Sequence, residues 1–267
     1  MNADFQECRK NGVVYMTSPL LESRHAFTTR FGGVSEGYLE SLNLGENRGD
    51  RPENVRENYR RLCAALAFPP EKLVFSRQVH GTAVRTVTSA DVHTLFTPIP
   101  YEADGLVTNE HGLVLTVFTA DCVPVLLEDR THQVIGAVHC GWRSSVGDIL
   151  SAAIRAMCAL GAKPENIRAA IGPAIGACCF ETDADVPEAV ERYIGADARG
   201  CIREEPGVPG KYLVDLRNAN RLRLLQLGLS DENIALSTEC TVCKSEKYWS
   251  HRATKGQRGS QASLIML

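Results

Sequence analysis

The spacing of apolar residues along the chain predicts three amphipathic helices, because in each segment the apolar side chains recur every three or four residues and so share one face. These helices cover residues 52–68, 144–160 and 216–227. Their ends are marked by helix-starting or helix-stopping residues, namely Pro52, Pro69-Pro70, Ser144 or Ser145, Gly161 and Gly228.

Short apolar runs between these helices predict β-strands: KLVFSRQV, GLVLTVFT, CVPVLLE, QVIGAVH, IRAAIG, NIALST and ASLIML. Several are apolar on both faces, which is typical of strands in sheets covered on both sides. Strands and helices alternate without a regular βαβ rhythm. We therefore expect a single α/β (α+β) domain over residues 1–267, with mixed β-sheets flanked by helices. The loop EEPGVPGK at 204–211 is interpreted as a surface excursion within that domain.

Charge and composition narrow the function classes. The net charge of −3 comes without a long run of one sign, which argues against a nucleic-acid surface or a polybasic membrane anchor. The opening residues MNADFQECRKNG lack the apolar run of a signal peptide, and no segment has the length of a membrane span. We expect a cytosolic protein whose ten cysteines stay reduced.

The segment 119–143, TADCVPVLLEDRTHQVIGAVHCGWR, predicts a hairpin whose strands flank the polar turn DRTH. If Glu128 pairs with Gln133, Cys122 lies opposite His139, because paired positions recede from the turn by equal steps. Their Cβ atoms would be roughly 5 Å apart, so a thiolate and an imidazole could share one metal ion. The alternative is a buried cysteine and a hydrogen-bonded core histidine.

A catalytic zinc site takes a third protein ligand and keeps one position open. His80 is the candidate, because it follows the run KLVFSRQV and precedes Gly81, which places it at a strand end.

A series of motifs in order from about residue 25 to the C-terminus then shows a family likeness. It comprises FTTRFGGVSEGYLESLNLG, SRQVHG, ADGLVT, TADCVPVLL, AVHCGWR, IGPAIGACCFE and ECTVC…YWSHR. In these motifs the chain resembles the YfiH-type family, often labelled laccase-domain or polyphenol oxidoreductase proteins. The resemblance implies a single-domain α/β fold with one Zn²⁺ held by His80 in QVHG, Cys122 in ADC and His139 in VHCGW.

The same resemblance implies phosphate-dependent cleavage of adenosine, inosine, guanosine and methylthioadenosine, with adenosine deamination as a second activity. The partners would be a purine nucleoside and phosphate, and Cys122 and His139 would be catalytic as well as metal ligands. Zinc with two imidazoles and one thiolate keeps a positive charge and activates water for deamination. Its part in phosphorolysis and the oligomeric state stay open.

Phosphate binding calls for arginines and free backbone N–H groups. Arg30 lies beside two glycines in TTRFGG, and Arg143 follows the ligand turn at a predicted helix N-terminus. Arg48 in GENRGD is a third possibility. Asn43 is expected to bind a sugar or base, or to stabilise a turn. Asp121 is predicted to be a general acid or base, or else to hold a turn.

The remaining cysteines are expected to be structural. Cys140 should point away from the neighbouring ligand by strand alternation. Cys240 and Cys243 form a CxxC, and Cys178-Cys179 are adjacent. A lone CxxC is weak support for a second metal site, so reduced packing cysteines are the favoured interpretation.

The sequence excludes one function class and leaves two alternative functions open. A multicopper oxidase needs about ten histidines, largely as His-x-His pairs, whereas this chain has seven and no such pair; that chemistry is excluded as the primary function. A cysteine hydrolase, for example a cell-wall precursor editor, would use Cys122 as nucleophile and His139 as base. A non-enzymatic metal-binding protein would close the site with a fourth ligand such as Cys140.

Overall fold

The computed structural model describes residues 5–267, which form two six-stranded sheets, one three-stranded sheet and six α-helices. The strands are β1 Gln6–Lys10, β2 Val13–Thr17, β3 Arg24–Thr28, β4 Leu73–Val74, β5 Val84–Thr86, β6 Gly105–Thr108, β7 Val114–Thr119, β8 Val123–Asp129, β9 Val134–Cys140, β10 Arg168–Ile171, β11 Glu181–Thr182, β12 Ile202–Glu204, β13 Tyr212–Val214, β14 Ile234–Leu236 and β15 Gln261–Met266. The helices are α1 Pro52–Leu66, α2 Trp142–Val146, α3 Ile149–Ala159, α4 Asp185–Ile194, α5 Leu216–Gln226 and α6 His251–Thr254.

The two large sheets pack face to face. Their strand orders are β1-β2-β3-β15-β7-β4 and β14-β10-β8-β9-β6-β5. Each sheet contains both parallel and antiparallel pairs, which confirms the mixed sheets expected from the sequence. Leu115 and Ile265 of the first sheet share a core cluster with Leu126 and Ile135 of the second.

Helices cover the outer face of each large sheet. Tyr59 and Leu62 of α1 pack with Leu264 on the first sheet, and Met157 of α3 packs with Val125 on the second. Alternate residues of β8 and β15 therefore enter different core clusters. This double coverage explains why every residue of β8 and β9 is buried and why both strands are apolar almost throughout.

Two of the three predicted helices are confirmed. The helix predicted at 52–68 is α1, which ends where Ala67 adopts a left-handed conformation with φ 53°. The helix predicted at 216–227 is α5, and the side chain of Asp215 caps it by accepting from the backbone N–H of Asn218.

The third predicted helix, 144–160, is wrong as a single element. It is divided into α2 and α3, because Asp148 has φ 71° and a left-handed residue cannot continue a right-handed helix. Both carboxylate oxygens of Asp148 accept from Arg223, which holds it there. Ser144 and Ser145 lie buried inside α2 instead of capping it, and Gly141 is the N-cap.

One predicted strand is longer than the observed one, and some observed elements were not predicted. Within KLVFSRQV only Leu73–Val74 forms a strand, so His80 lies in a loop and not at a strand end. Helix α4 and the small sheet β11-β13-β12 were not predicted. The segment 204–211 is the surface connection between β12 and β13, as expected. Among the helices in the described range 5–267, none has both the length and the apolar character that a membrane crossing requires.

Candidate metal centre

Three side chains from separate elements converge at one end of the second large sheet. Cys122 directly precedes β8, His139 is the penultimate residue of β9, and His80 belongs to the loop between β4 and β5. Their possible ligand atoms all lie within 4.8 Å of one another. The sulfur of Cys122 is 3.8 Å from Nε2 of His80. The two imidazole rings are nearly perpendicular, with centroids 4.8 Å apart.

The hairpin reaches this arrangement with a register different from the predicted one. His139 pairs with Pro124 and Glu128 pairs with Ile135, a shift of two residues. The turn begins one residue later than DRTH because Asp129 stays in β8, where its carboxylate accepts from the backbone N–H groups of His132 and Lys163. A shift of two preserves the face, since side chains alternate along a strand. The prediction that Cys122 lies directly opposite His139 is wrong, and the two residues are diagonal neighbours instead.

Asp104 organises two of the three side chains. Its fully buried carboxylate accepts from Nδ1 of His139 at 2.7 Å. It also accepts from the backbone N–H groups of Val79, His80 and Gly81 at 3.1, 3.0 and 2.8 Å. The first contact makes Nδ1 the protonated nitrogen of His139 and leaves Nε2 free to bind a metal, while the backbone contacts hold the His80 loop in place.

Asp104 belongs to the motif ADGLVT, but no role was predicted for it from the sequence. One local signal was present, an aspartate directly before the buried strand β6 that starts at Gly105. Burial raises the pKa of this carboxyl group, but hydrogen bonds from His139 and Gly81 outweigh burial and lower it overall. Asp104 is therefore a carboxylate that can support two ligands at once.

The shifted pKa values of Cys122 and His139 favour an ion pair between them at neutral pH. Burial raises the pKa of the Cys122 thiol, but the charge and hydrogen bond of His139 lower it overall to about 6. Burial lowers the pKa of His139, but the thiolate and Asp104 raise it overall to about 9. The sulfur is thus ready to bind a cation at neutral pH.

Gly141 leaves the space that His80 occupies. A Cβ atom at position 141 would lie 2.7 Å from Cδ2 of His80 and 3.5 Å from the sulfur of Cys122. Contacts below 3 Å force a neighbour to move, so a larger residue would displace a candidate ligand. This close approach explains why a glycine lies between the last strand residue and Trp142.

A cleft of about 630 Å³ opens over the three side chains. Arg48 and Arg258 line it, and each donates to the hydroxyl of Ser260, at 3.2 and 3.0 Å. Burial lowers the pKa of Arg258, and the positive charge of Arg48 lowers it further, to about 10. Within residues 5–267 the buried Nε of Arg258 has no hydrogen-bond partner. Phe118 and Ile99 supply apolar surface to the same cleft.

The arginines predicted to bind phosphate lie elsewhere, apart from the third possibility, Arg48. Arg30 donates to the carbonyls of Glu40 and Ser245, and its guanidinium lies 4.0 Å above the Trp249 ring. Arg143 is exposed and folds over its neighbour Trp142 at 4.3 Å. Neither residue is part of the cleft lining. Arg258 was missed because no local motif distinguishes it.

Asn43 and Asp121 support the wall of the cleft. The fully buried Asn43 donates to Asp50 and accepts from the backbone N–H groups of Gly45 and Ser260, so the turn-stabilising interpretation fits its contacts. Asp121 has φ 90°, and its two oxygens accept from the Thr241 hydroxyl at 2.6 Å and the Arg252 backbone N–H at 2.7 Å. These contacts fit the turn-holding alternative.

The other cysteines occupy two different environments. Cys140 is fully buried in the core beside α3, on the side of β9 away from the three converging side chains. The sequence favoured reduced packing cysteines, and the structure brings four of the cysteines together in a second group. The sulfur atoms of Cys178, Cys179, Cys240 and Cys243 lie within 4.8 Å of one another, and Cys178 and Cys243 are exposed.

Comparisons with known proteins identify the family of this chain. A family model described as "Multi-copper polyphenol oxidoreductase laccase" matches residues 24–267. Purine nucleoside phosphorylase YlmD of Geobacillus stearothermophilus is 37% identical over 270 residues, covering 98% of this chain and 96% of that protein. Purine nucleoside phosphorylase YfiH of Escherichia coli is 38% identical over 244 residues, 90% of this chain and 92% of its own length.

Solved structures show the same fold. The crystal structure of YlmD from Geobacillus stearothermophilus superposes with a TM-score of 0.91 at 34% identity, covering 100% of this chain and 99% of that one. The Bacillus licheniformis protein YfiH superposes with a TM-score of 0.91 at 29% identity. The family description implies metal binding, and the side chains of His80, Cys122 and His139 are a donor set suited to it. The chain therefore belongs to the YfiH family of laccase-domain proteins.

Proposed function

We propose that the chain is a zinc-dependent purine nucleoside phosphorylase for adenosine, inosine, guanosine and methylthioadenosine, with adenosine deamination as a second activity. The relatives named above are called purine nucleoside phosphorylases, and the chain spans most of their length. One observation carries the proposal: three metal-capable side chains line the same cleft as two arginines, the exposed Arg48 and the half-buried Arg258.

The donor set of His80, Cys122 and His139 fits zinc. Two imidazole nitrogens and one thiolate are ligands that zinc accepts, and three protein ligands leave one position for chemistry. When bound, the ion would supply a Lewis acid at the floor of the cleft. Asp104 would keep the His139 ring in its ligand orientation and tautomer.

The two arginines would bind phosphate. Arg48 and Arg258 lie close enough for each other's charge to lower the pKa of Arg258, and a bound anion would relieve that repulsion. The unpartnered Nε of Arg258 adds a free donor. Their shared partner Ser260 fixes both guanidinium groups, so phosphate would be held beside the metal centre without a mobile loop.

The apolar wall suits a purine and its sugar. Phe118 is half-buried, and its backbone N–H and C=O both bond to the Gln78 side chain, which holds the ring at the cleft. Ile99 lines the same cleft. An aromatic ring and an aliphatic side chain can enclose a flat base, while the polar floor faces the ribose and phosphate.

The test is one incubation with controls. Zinc-loaded protein is given inosine or adenosine, with and without phosphate, and the products are separated by chromatography. We expect free base and ribose 1-phosphate only when phosphate is present, and inosine from adenosine in either case. A Cys122→Ala protein controls for contaminating enzymes. Zinc-loaded protein that releases no base from any of the four nucleosides would disprove the phosphorylase proposal.

A second candidate function, cysteine hydrolysis, draws support from the Cys122–His139 ion pair, because a thiolate beside an imidazolium is the form that attacks esters and amides. The two candidates make opposite demands on the sulfur. Iodoacetamide applied before and after chelation separates them. A phosphorylase should lose activity on chelation and expose Cys122 to alkylation, whereas a cysteine hydrolase should become more active once the metal is removed.

A further inference from the structure

Two cysteine pairs that are distant from each other in sequence meet in the tertiary structure. Cys178 and Cys179 lie in the connection after β10, and Cys240 and Cys243 follow β14. The sulfur of Cys243 is 3.5 Å from that of Cys178 and 3.4 Å from that of Cys179. All four sulfur atoms lie within 4.8 Å of one another.

We propose that Cys178, Cys179, Cys240 and Cys243 bind a second, structural zinc ion that is separate from the centre at His80. A tetrahedral ion with Zn–S bonds of about 2.3 Å places its sulfur ligands about 3.8 Å apart. The observed sulfur separations are compatible with that value, since two of them are 3.5 and 3.4 Å and none among the four sulfur atoms exceeds 4.8 Å. Four thiolates also complete the coordination of zinc, so this site is closed and its role is structural.

The backbone around Cys240 is arranged for a thiolate. Its sulfur accepts a hydrogen bond from the backbone N–H group of Gly176 at 3.2 Å. An N–H donor directed at a sulfur offsets part of the negative charge that several thiolates accumulate around an ion. A Cβ atom at Gly176 would lie 3.2 Å from the sulfur of Cys178, which is closer than most Cβ contacts, so a side chain there would press on the cluster.

Simple packing does not explain the cluster. Cys178 and Cys243 are exposed to solvent, whereas a packing cysteine is normally buried. Two adjacent residues such as Cys178 and Cys179 are poorly placed to form a disulfide with each other. Metal binding is the arrangement that uses all four sulfur atoms together.

The cluster adjoins the turn that carries Cys122. Thr241, between two of the cysteines, donates to one oxygen of Asp121. Arg252 donates its backbone N–H to the other oxygen and its guanidinium to the carbonyl of Cys179. A zinc ion that joins the two cysteine-bearing loops would therefore hold both donors on Asp121, the residue before Cys122, and so stabilise the catalytic cleft from outside.

Zinc counting tests the proposal and does not depend on enzyme activity. Protein is purified under reducing conditions, and zinc per chain is measured by elemental analysis. We expect about two ions in the natural protein, about one in the Cys178→Ser/Cys243→Ser variant and about one in a His80→Ala/His139→Ala variant. Cys8→Ser is the matched control, because Cys8 bonds only to Thr17 among these contacts, and it should keep both ions.

A second measurement uses the natural sequence alone. Alkylation of the protein before and after chelation, followed by peptide mass analysis, should show Cys178 and Cys243 protected by metal and reactive without it. Zinc content in the Cys178→Ser/Cys243→Ser variant equal to that of the natural chain, or a disulfide among the four cysteines, would each overturn the second site. A natural protein that binds two zinc ions but does not cleave nucleosides would count against the proposed function and leave the second zinc site supported.

Discussion

Nδ1 of His139 donates a hydrogen bond of 2.7 Å to Oδ1 of the buried carboxylate of Asp104. The same carboxylate accepts from three consecutive backbone N–H groups around His80. One negative charge thereby orients a ring on a strand and a ring on a loop towards the sulfur of Cys122. The zinc affinity of the metal centre should depend on Asp104, although Asp104 is not itself one of the proposed ligands.

Asp104→Asn should weaken zinc binding by about 10- to 100-fold. The amide offers one oxygen for contacts that now use two, and it lacks the charge that stabilises the histidine ligand. The measurement is a competition titration with a chromophoric zinc chelator. Asp129→Asn is the matched control, because Asp129 is a buried partner of His132 outside the centre. Equal zinc affinity in both variants and the natural protein would contradict the role given to Asp104.

Gly141→Ala should displace His80, since the added methyl would lie 2.7 Å from the ring. A displacement of this kind costs about 100-fold in activity when the geometry of a catalytic group is disturbed. The measurement is nucleoside cleavage together with bound zinc. Gly200→Ala is the control, because a Cβ atom there meets nothing within 4 Å. A Gly141→Ala protein with full zinc and full activity would show that the ring tolerates the shift.

Arg48→Gln and Arg258→Gln should raise the KM for phosphate and change the KM for the nucleoside far less. Loss of a hydrogen bond to a charged group costs about 1.5–3 kcal/mol, which corresponds to about 10- to 150-fold in phosphate affinity. The measurement is initial rate against each substrate in turn. Arg143→Gln, an exposed arginine outside the cleft, should leave both constants unchanged. An effect confined to Arg143→Gln would move the phosphate site to the end of β9.

The metal-free protein should show a cysteine that reacts at low pH. The pKa of Cys122 is lowered to about 6 and that of His139 is raised to about 9, so the ion pair is lost as the pH falls through the first value or rises through the second. Alkylation of Cys122 after chelation should therefore be half-maximal at about pH 6. The readout is peptide mass analysis across pH, and added zinc should suppress the reaction. Half-maximal reaction at the pH typical of free cysteines would refute the pairing.

The Asp121→Asn variant distinguishes between two roles of Asp121, structural support of the turn and general acid or base catalysis. An amide keeps one acceptor oxygen but faces a second donor with its NH₂ group, so we expect a loss of about 1–3 kcal/mol in the free energy of unfolding. The pH–rate profile of the remaining activity should keep its shape. Thermal unfolding and the pH profile are measured on the same protein. Disappearance of one limb of the profile without a loss of stability would restore the acid–base assignment.

Local periodicity accounts for the parts of the fold that were predicted correctly. Helices α1 and α5 and the buried strands β8 and β9 follow from the spacing of apolar residues, because helix and strand geometry fix which side chains share a face. The break between α2 and α3 was not predicted, because it arises from Asp148 and its contact with Arg223, 75 residues away in sequence. Helix α4 was overlooked although its buried residues Val186, Val190 and Tyr193 follow helical spacing.

The sequence by itself determined the chemical inventory: the motifs that identify the family, the candidate ligands His80, Cys122 and His139, and a histidine count incompatible with a multicopper cluster. Only the tertiary structure decided which arginines face the cleft, which carboxylate supports the histidines, and that four distant cysteines meet. Residue types and local spacing are properties of the chain, whereas these contacts join residues that are as much as 212 positions apart. They form because two sheets and their covering helices must bury apolar surface together, and that packing alone brings the polar groups at their ends into reach.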